Sequence, residues 1–286
     1  MNFGRALRQS IAAVCGATTV AVALCALGCS NPLSGRSLSR THGDPDGEAT
    51  TNTKVNVVLV HGAWADGTSW SRVISLLQER GFHVTAVQIS LSSLQADVEW
   101  TRHVLSMQNE PTILVGHSYA GQVITAAGTA PNVVGLVYVA AFAPDVGEPL
   151  GVLNNKFTIP VGQQQIRGPD AAGYLWIDQD GFREAFAQDV DVPTARVMAA
   201  VQKPLPAQAF ASQVDVAAWH SKPSWFLVAL EDRIISPELE RWEAQRMNAR
   251  LRLVHSSHAM MVSHPADVAR TIEDAAGQVV VARTGS

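Results

Sequence analysis

Cysteine is missing from almost the whole chain. The 286 residues contain 3 cysteines, Cys15, Cys25 and Cys29, all near the amino terminus. Disulfide or thiol chemistry in the rest of the chain is therefore excluded. Basic clusters are also lacking, because 21 lysines and arginines face 25 acids and form no basic run. This balance argues against nucleic acid as a partner.

Nucleotide and metal signatures are lacking as well. The chain has no glycine-rich dinucleotide fingerprint and no phosphate-binding loop. The spacing of His255, His258, His264 and Asp232 fits none of the common zinc signatures. We therefore expect no cofactor and no metal. What the chain does have is apolar residues, 47% of the total, enough for one sizeable domain or one domain with an insertion.

The amino terminus has the pattern of an export signal. Arg5 and Arg8 precede an uncharged apolar stretch at 11–27, which is short for a membrane span. Gly28 directly before Cys29 resembles a bacterial lipoprotein cleavage site. We expect a signal peptide at 1–28 and a lipid anchor on Cys29. The alternative is an ordinary signal peptide whose cysteines serve only as small hydrophobic residues.

This signal predicts export from a bacterial cytoplasm. With a lipid on Cys29 the protein would be a lipoprotein at the cell envelope, and otherwise periplasmic or secreted. Residues 29–53 are rich in Ser, Gly, Asp, Thr and Asn without apolar periodicity, which is typical of a flexible tether. The folded domain is predicted to occupy 54–286.

Strand-like and helix-like segments alternate along that domain. This order predicts a mostly parallel α/β sheet of six strands flanked by helices. The predicted strands are 55–61, 83–89, 112–115, 133–140, 224–230 and 251–255. The predicted helices are 70–80, 93–107, 119–130, 237–247 and 265–277. The alternation breaks between about 146 and 222, which predicts a small cap over the carboxyl edge of the sheet, where such folds bind ligands.

A nucleophile elbow is predicted where the third strand meets its helix. Gly116-His117-Ser118-Tyr119-Ala120-Gly121 follows an apolar run, and Ser118 occupies the serine position of G-x-S-x-G. Ala120 stands where the last glycine is usual, and Gly121 comes one position late. The motif therefore needs support from a base and an acid elsewhere in the chain.

Two later loops supply them in the order Ser, acid, His. His258 is the predicted base, with Asp232 as the acid that orients it. Glu231 is a less favoured acid, and Asp145 is a more distant alternative. For His255 and His264 a surface or packing role is favoured.

Backbone N–H groups are expected to stabilise the oxyanion. Tyr119, directly after the serine, should supply one, and the loop after the first strand should supply the other. Ala63 is favoured for this second donor, with Trp64 as its neighbour to test. Gly62 lets that loop approach closely, and His61 is expected to brace it.

Apolar side chains near the predicted mouth suggest a substrate with an apolar part. For aromatic side chains of the cap, plain packing is at least as good an interpretation as ligand contact. Besides Tyr119, the pocket residues we predict are Trp64, Phe142, Trp176, Phe186, Met198, Trp219 and Met260.

These motifs together resemble the α/β-hydrolase superfamily. Within it, 55–272 is similar to the plant methyl-ester esterases and hydroxynitrile lyases and their bacterial relatives. The resemblance implies Ser118, Asp232 and His258 as triad and Ala63 and Tyr119 as oxyanion donors. The residues that carry it are at 59–63, Trp70, 114–118, 140–145, 231–233, Glu240-Arg241-Trp242 and 257–261.

Two positions separate the chemistries of that family. Its lyases place a lysine after the histidine of the triad and a threonine after the first-strand histidine, whereas Ala259 and Gly62 stand here. We therefore expect a serine esterase acting on small-molecule esters. The alternatives are the same triad acting on lactones, amides, carbamates, thioesters or C–C bonds, and a surface binding protein without turnover. The oligomeric state is not predictable from the sequence.

Overall fold

The structure, a computed structural model, describes residues 55–284. The predicted signal peptide, the tether and Cys29 lie outside the described residues. Within them, no helix combines the length and hydropathy needed to cross a membrane.

Six parallel strands form the central sheet, in the order β2-β1-β3-β4-β8-β9. This confirms the predicted mostly parallel α/β sheet of six strands. Within the described residues the strands are β1 Asn56–Val60, β2 His83–Val87, β3 Thr112–His117, β4 Val133–Val139, β5 Ile166–Arg167, β6 Tyr174–Ile177, β7 Leu205–Pro206, β8 Ser224–Ala229 and β9 Arg250–Val254.

Helices cover both faces of this sheet. Most bounds fall within one or two residues of prediction, but α9 runs past Gly277, since glycine weakens a helix without necessarily ending it. The α-helices of the described residues are α1 Ser71–Glu79, α2 Leu94–Ser106, α3 Ala120–Ala127, α4 Leu150–Asn154, α5 Phe182–Phe186, α6 Val192–Val201, α7 Pro237–Arg246, α8 Met260–Ser263 and α9 Pro265–Thr284.

The segment between β4 and β8 interrupts the alternation, as predicted. It contains α4, α5, α6 and a small antiparallel sheet of β5, β6 and β7. Lys203 is one residue that connects this cap segment to the loops of the sheet. Lys203 O accepts the Trp64 N–H at 2.8 Å, and the Lys203 ammonium donates to the carbonyl of Ile89.

Burial on both faces explains the continuous apolar runs of the inner strands. All residues of β1, β3 and β8 are buried, and they divide between two apolar clusters on opposite faces of the sheet. Polar side chains are therefore confined to the strand ends. Because the strands are parallel, the loops after β1, β3, β8 and β9 emerge at one edge, where the predicted site residues lie.

Candidate active site

Three side chains from three of these loops form one hydrogen-bonded chain. The Ser118 hydroxyl lies 2.8 Å from Nε2 of His258, and Nδ1 of His258 lies 2.5 Å from Oδ2 of Asp232. An ionised carboxylate only accepts hydrogen bonds, so Nδ1–H donates to Asp232. Nε2 is then left to accept the Ser118 proton. The side chains of His258 and Asp232 are fully buried, so bulk water does not compete for this bond.

Ser118 lies on a strained turn between β3 and α3. Its φ is 56°, in the left-handed region that residues with a Cβ rarely adopt. The turn is held from the end of β4, since the Ser118 N–H donates to Ala140 O at 3.1 Å and the Phe142 N–H donates to Ser118 O at 3.2 Å. Such strain costs about 1–3 kcal/mol, which the surrounding contacts must offset.

The late glycine of the elbow has a steric reason. A Cβ on Gly121 would lie 1.9 Å from the carbonyl oxygen of Phe142, so the first turn of α3 packs directly on the backbone after β4. A Cβ on Gly116 would lie 2.7 Å from the Ala120 carbonyl oxygen. On the α3 side of the serine, the position that needs a glycine is therefore 121, where the helix meets the backbone of Phe142. Position 120 can carry the methyl group of an alanine.

The three predicted acids separate by their surroundings. Oδ1 of Asp232 accepts the N–H groups of Ile234 at 2.6 Å and Ile235 at 2.9 Å, which hold the carboxylate towards His258. The Glu231 side chain is 55% exposed and faces His255 instead. Asp145 pairs with His220 at 2.9 Å. Of these acids, only Asp232 bonds to His258.

The oxyanion alternatives separate in the same way. The Trp64 N–H already donates to Lys203 O, so it is not available to an oxyanion. Among the described residues, no backbone acceptor pairs with the N–H of Ala63 or of Tyr119. A Cβ on Gly62 would lie 2.7 Å from the Ser118 Cβ, so this loop runs directly against the serine.

Two further histidines are buried beside Ser118, His258 and Asp232. Burial lowers the pKa of His61 to about 4, and its Nδ1 lies 2.9 Å from the Gly62 carbonyl oxygen, in line with the predicted bracing role. Burial and the neighbouring His258 hold the pKa of His117 well below its usual range. Neutral His117 donates from Nε2 to the carbonyl oxygen of His258 at 2.9 Å. Sequence reasoning did not find this contact, because it joins residues 141 positions apart.

Asp97 is a second residue that sequence reasoning missed. It is buried on α2, and its Oδ2 accepts the Tyr119 hydroxyl at 3.0 Å while Oδ1 accepts the Leu91 N–H at 2.9 Å. Burial raises the pKa of Asp97 despite these bonds. The side chain of a predicted oxyanion residue is thus anchored from a neighbouring helix. An acid in the first turn of a helix usually indicates only capping, so the sequence offered no distinguishing signal.

A small cavity opens beside Ser118, with a volume of about 20 Å³, room for about one water molecule. Besides Ser118 and Tyr119, the polar residues of its lining are an amide pair. That pair is Asn154 and Gln163, whose side chains exchange hydrogen bonds at 2.8 and 3.2 Å. The remaining lining residues are Ala63, Trp64, Phe142, Leu150, Ile166, Leu205, Phe210 and Ile234.

Of the predicted pocket residues, Trp64, Tyr119 and Phe142 line this cavity, and the others do not. Phe186 packs against the ring of His258, with centroids 4.7 Å apart. Met198 lines a separate groove with α1 residues.

Three further predicted pocket residues are corrected by their packing. Trp176 is half-exposed and donates to Asp170. Trp219 donates to Pro144 O at 3.0 Å. Met260 is buried in the apolar cluster on the α1 and α9 face of the sheet. Hydrophobicity and position near a strand end did not reveal which way these side chains turn.

His255 and His264 each lie beside an acid outside the triad. His255 is largely exposed and faces Glu231, and His264 lies 3.5 Å from Asp189. Within residues 55–284, no three metal-ligating side chains converge.

Serine hydrolases of the α/β class carry this arrangement, a serine on a strained strand-to-helix turn with a histidine and an acid on later loops. The family comparison agrees. The chain belongs to the alpha/beta hydrolase family, whose profile matches residues 57–271.

Individual relatives and structures are similar over most of the chain. An alpha/beta hydrolase of Aspergillus novofumigatus is 26% identical over 79% of this chain and 98% of its own. Methylesterase 2 of Arabidopsis thaliana is 25% identical over 74% of this chain and 92% of its own. The crystal structure of a pyrethroid hydrolase from Sphingobium faniae has a TM-score of 0.68 at 22% identity and covers 77% of this chain and 97% of its own, which supports the fold.

Proposed function

We propose that this protein is a serine hydrolase that cleaves carboxylic esters of small molecules through an acyl-enzyme. The observation that carries the proposal is the continuous hydrogen-bonded chain from Ser118 through His258 to Asp232. Named esterases and hydrolases among the relatives support ester hydrolysis as the reaction.

Acylation follows from this geometry. Ser118 Oγ attacks the ester carbonyl carbon while Nε2 of His258 takes the hydroxyl proton. Asp232, held by two backbone N–H groups, orients the imidazole and stabilises the imidazolium. The carbonyl oxygen becomes an oxyanion between the N–H groups of Ala63 and Tyr119. When the intermediate collapses, the C–O bond to the alcohol breaks and His258 returns the proton to the leaving oxygen.

Deacylation repeats these roles with water. His258 takes a proton from a water molecule that attacks the acyl carbon, and the second tetrahedral intermediate expels Ser118 Oγ, which recovers its proton. The products are a carboxylic acid and an alcohol. Turnover should fall as the pH is lowered, because a protonated His258 cannot accept the serine proton. A rate that stays flat down to about pH 4 would exclude a histidine base.

The cavity lining supports a substrate with an apolar part. Leu150, Leu205 and Phe210 of the cap segment share the lining of this cavity with the elbow residues. Because the cavity holds about one water, the cap has to yield when a substrate enters. An ester panel varied separately in acyl chain and alcohol group, with lactones, amides and thioesters included, would define the accepted bond and size.

Two positions favour hydrolysis over cyanohydrin cleavage. Ala259 is fully buried and packed in an apolar cluster, an environment that would strip water from a lysine ammonium. A Cβ at position 62 would lie 2.7 Å from the Ser118 Cβ, which leaves no room for a threonine side chain without backbone movement.

Replacing the nucleophile tests the proposal. Ser118→Ala should remove turnover of p-nitrophenyl acetate and labelling by a fluorophosphonate, since both need Oγ. Ser221→Ala is the control, because that hydroxyl donates only to Ala218 O within its own turn. Substantial turnover by a folded Ser118→Ala variant would refute the serine mechanism. Labelling without turnover of any ester would favour another bond class.

We also propose export, on the sequence pattern at 1–28 and Cys29. The domain at 54–286 would then act outside the cytoplasm, tethered by 29–53. Metabolic labelling with a fatty acid should mark the wild-type protein and leave Cys29→Ala unmarked. Export of the chain without any lipid on Cys29 would point to simple secretion.

A further inference from the structure

A buried carboxyl group lies directly behind Asp232. Glu240, on the first turns of α7, is fully buried, and its Oε2 accepts the Ala229 N–H at 3.0 Å. The carbonyl oxygen of the same residue, Ala229, accepts the Asp232 N–H at 3.2 Å. The end of β8 thus brings the two acids together, and Asp232 is the charged group that acts most strongly on the Glu240 carboxyl. Oε1 of Glu240 finds no donor among the described residues.

Two carboxyl groups in contact inside a protein do not both ionise, because the like charges repel and neither is solvated. Hydrogen-bond donors decide which one carries the charge. Asp232 accepts from Ile234 N, Ile235 N and His258 Nδ1. Within residues 55–284, Glu240 accepts only from Ala229 N. The negative charge therefore belongs to Asp232 and the proton to Glu240.

We infer that Glu240 is a positioning residue of the proposed ester hydrolysis: it is a neutral carboxylic acid whose O–H donates to the Asp232 carboxylate and holds it against His258. The kinetic consequences of this inference rest on the proposed function, whereas the position of the proton on Glu240 is independent of it. It also accounts for the unpaired Oε1, because a protonated oxygen is a donor and Asp232 is its acceptor.

The electrostatic surroundings agree. Burial, and then the negative charge of Asp232, raises the pKa of Glu240 well above its ordinary value. The charged groups that face Glu240 are Asp232, from the loop after β8, and Glu243, one turn further along α7, and both are acids. No basic side chain of the described residues contributes to its shift. These surroundings favour the protonated form of Glu240.

The neutral donor has a defined effect on the triad. Asp232 must stay ionised to stabilise the imidazolium. The O–H of Glu240, in addition to the two backbone N–H groups and the imidazole N–H, fixes the orientation of its carboxylate. A second negative charge at Glu240 would instead raise the proton affinity of His258 and retain more of it in the protonated, inactive form.

Two substitutions at this position separate a donor from a charge. Glu240→Gln keeps a neutral N–H donor of the same shape, and Glu240→Met keeps the volume without a donor. We expect kcat to fall about tenfold in Glu240→Met, the scale of a lost hydrogen bond to a charged group. Glu240→Gln should stay within about threefold of wild type and keep the acid limb of the pH profile in place.

Glu243→Met is the matched control. Glu243 lies on the same helix, is equally buried and accepts a backbone N–H, that of Ala143, at 3.0 Å. Its loss should lower stability without moving the acid limb of kcat/KM. If Glu240→Gln shifts that limb to lower pH by about one unit or more, Glu240 carries a charge and the inference is wrong. Equal kcat in Glu240→Met and Glu240→Gln would also overturn it.

Infrared difference spectroscopy provides a readout that needs neither activity nor the Met variant. The wild-type protein at neutral pH should show carbonyl stretches of protonated carboxyl groups, and Glu240→Gln should lose one component that Glu243→Gln keeps. Absence of a Glu240-dependent band would refute the proton assignment. Residual turnover in Ser118→Ala would instead refute the proposed function, so the two failures are distinguishable.

Discussion

Replacing Gly121 with alanine should disable the elbow although the residue has no side chain and meets the triad through a backbone hydrogen bond, from its N–H to the Ser118 carbonyl oxygen at 2.9 Å. The added Cβ would lie 1.9 Å from the Phe142 carbonyl oxygen, and ordinary contact begins at 3.4 Å. The first turn of α3 must therefore retreat by about 3.4 − 1.9 = 1.5 Å. Ser118 and the Tyr119 N–H lie at the start of that turn and would move with it.

The size of the effect follows from this displacement. Overpacking of this kind costs about 1–3 kcal/mol, which lowers Tm by roughly 2–12 °C in a domain of this size. A displacement near 1 Å at the reacting atoms costs about 10²-fold in rate. We therefore expect a folded but poorly active variant, measured by thermal unfolding and by kcat/KM on p-nitrophenyl acetate.

Gly277→Ala is the matched control, since this glycine is also helical and a Cβ there meets nothing within 4 Å. It should gain up to about 1 kcal/mol from helix propensity and leave kcat/KM unchanged. If Gly121→Ala were as stable and active as Gly277→Ala, the steric explanation of the late glycine would be wrong.

Three other outcomes are expected. Tyr119→Phe leaves Oδ2 of Asp97 without its donor. Denaturant titration should show a loss of about 1.5–3 kcal/mol in the free energy of unfolding, and kcat should fall. Unchanged stability would mean that this bond contributes nothing. Burial raises the pKa of Glu243 from 4.5 to about 8. The folded protein therefore keeps a proton that the unfolded chain releases, and its free energy of unfolding falls by up to about 5 kcal/mol as the pH rises between these two values. Glu243→Gln should make that slope shallower, and an identical slope in both proteins would refute this assignment. Phe210→Ala enlarges the cavity and should raise kcat/KM for p-nitrophenyl octanoate relative to acetate; an unchanged ratio would place the acyl chain elsewhere.

Sequence reasoning succeeded where the signals are local. A buried parallel strand is a continuous apolar run, and a tight turn needs small residues, so the strands and the elbow at Ser118 are visible in short windows. The order of Asp232 and His258 after two later strands then followed from the parallel topology, since all these strand ends meet at one edge.

It failed where side chains turn in or out of the cavity. Met260 and Trp176 are near predicted strand ends or in the cap, yet one is buried against α1 and α9 and the other is half-exposed. Hydrophobicity predicts burial but not which of two apolar regions receives the side chain. Residues of α4 and of the later cap segment, among them Leu205 and Phe210, line the cavity. Their placement depends on contacts between segments that are far apart in the chain.

The sequence by itself determined the α/β class, the six strands and the residues offered for nucleophile, base and acid, because periodicity, turn chemistry and chain order are properties of neighbouring residues. Only the tertiary structure distinguished between neighbouring residues that could each fill the same role. It showed that Asp232 rather than Glu231 bonds to His258, and that the Trp64 N–H is taken by Lys203 O while that of Ala63 is not. It also placed Glu240 behind Asp232. Hydrogen-bond partners and loss of water come from segments far apart in the chain, and those contacts exist only once the chain has folded.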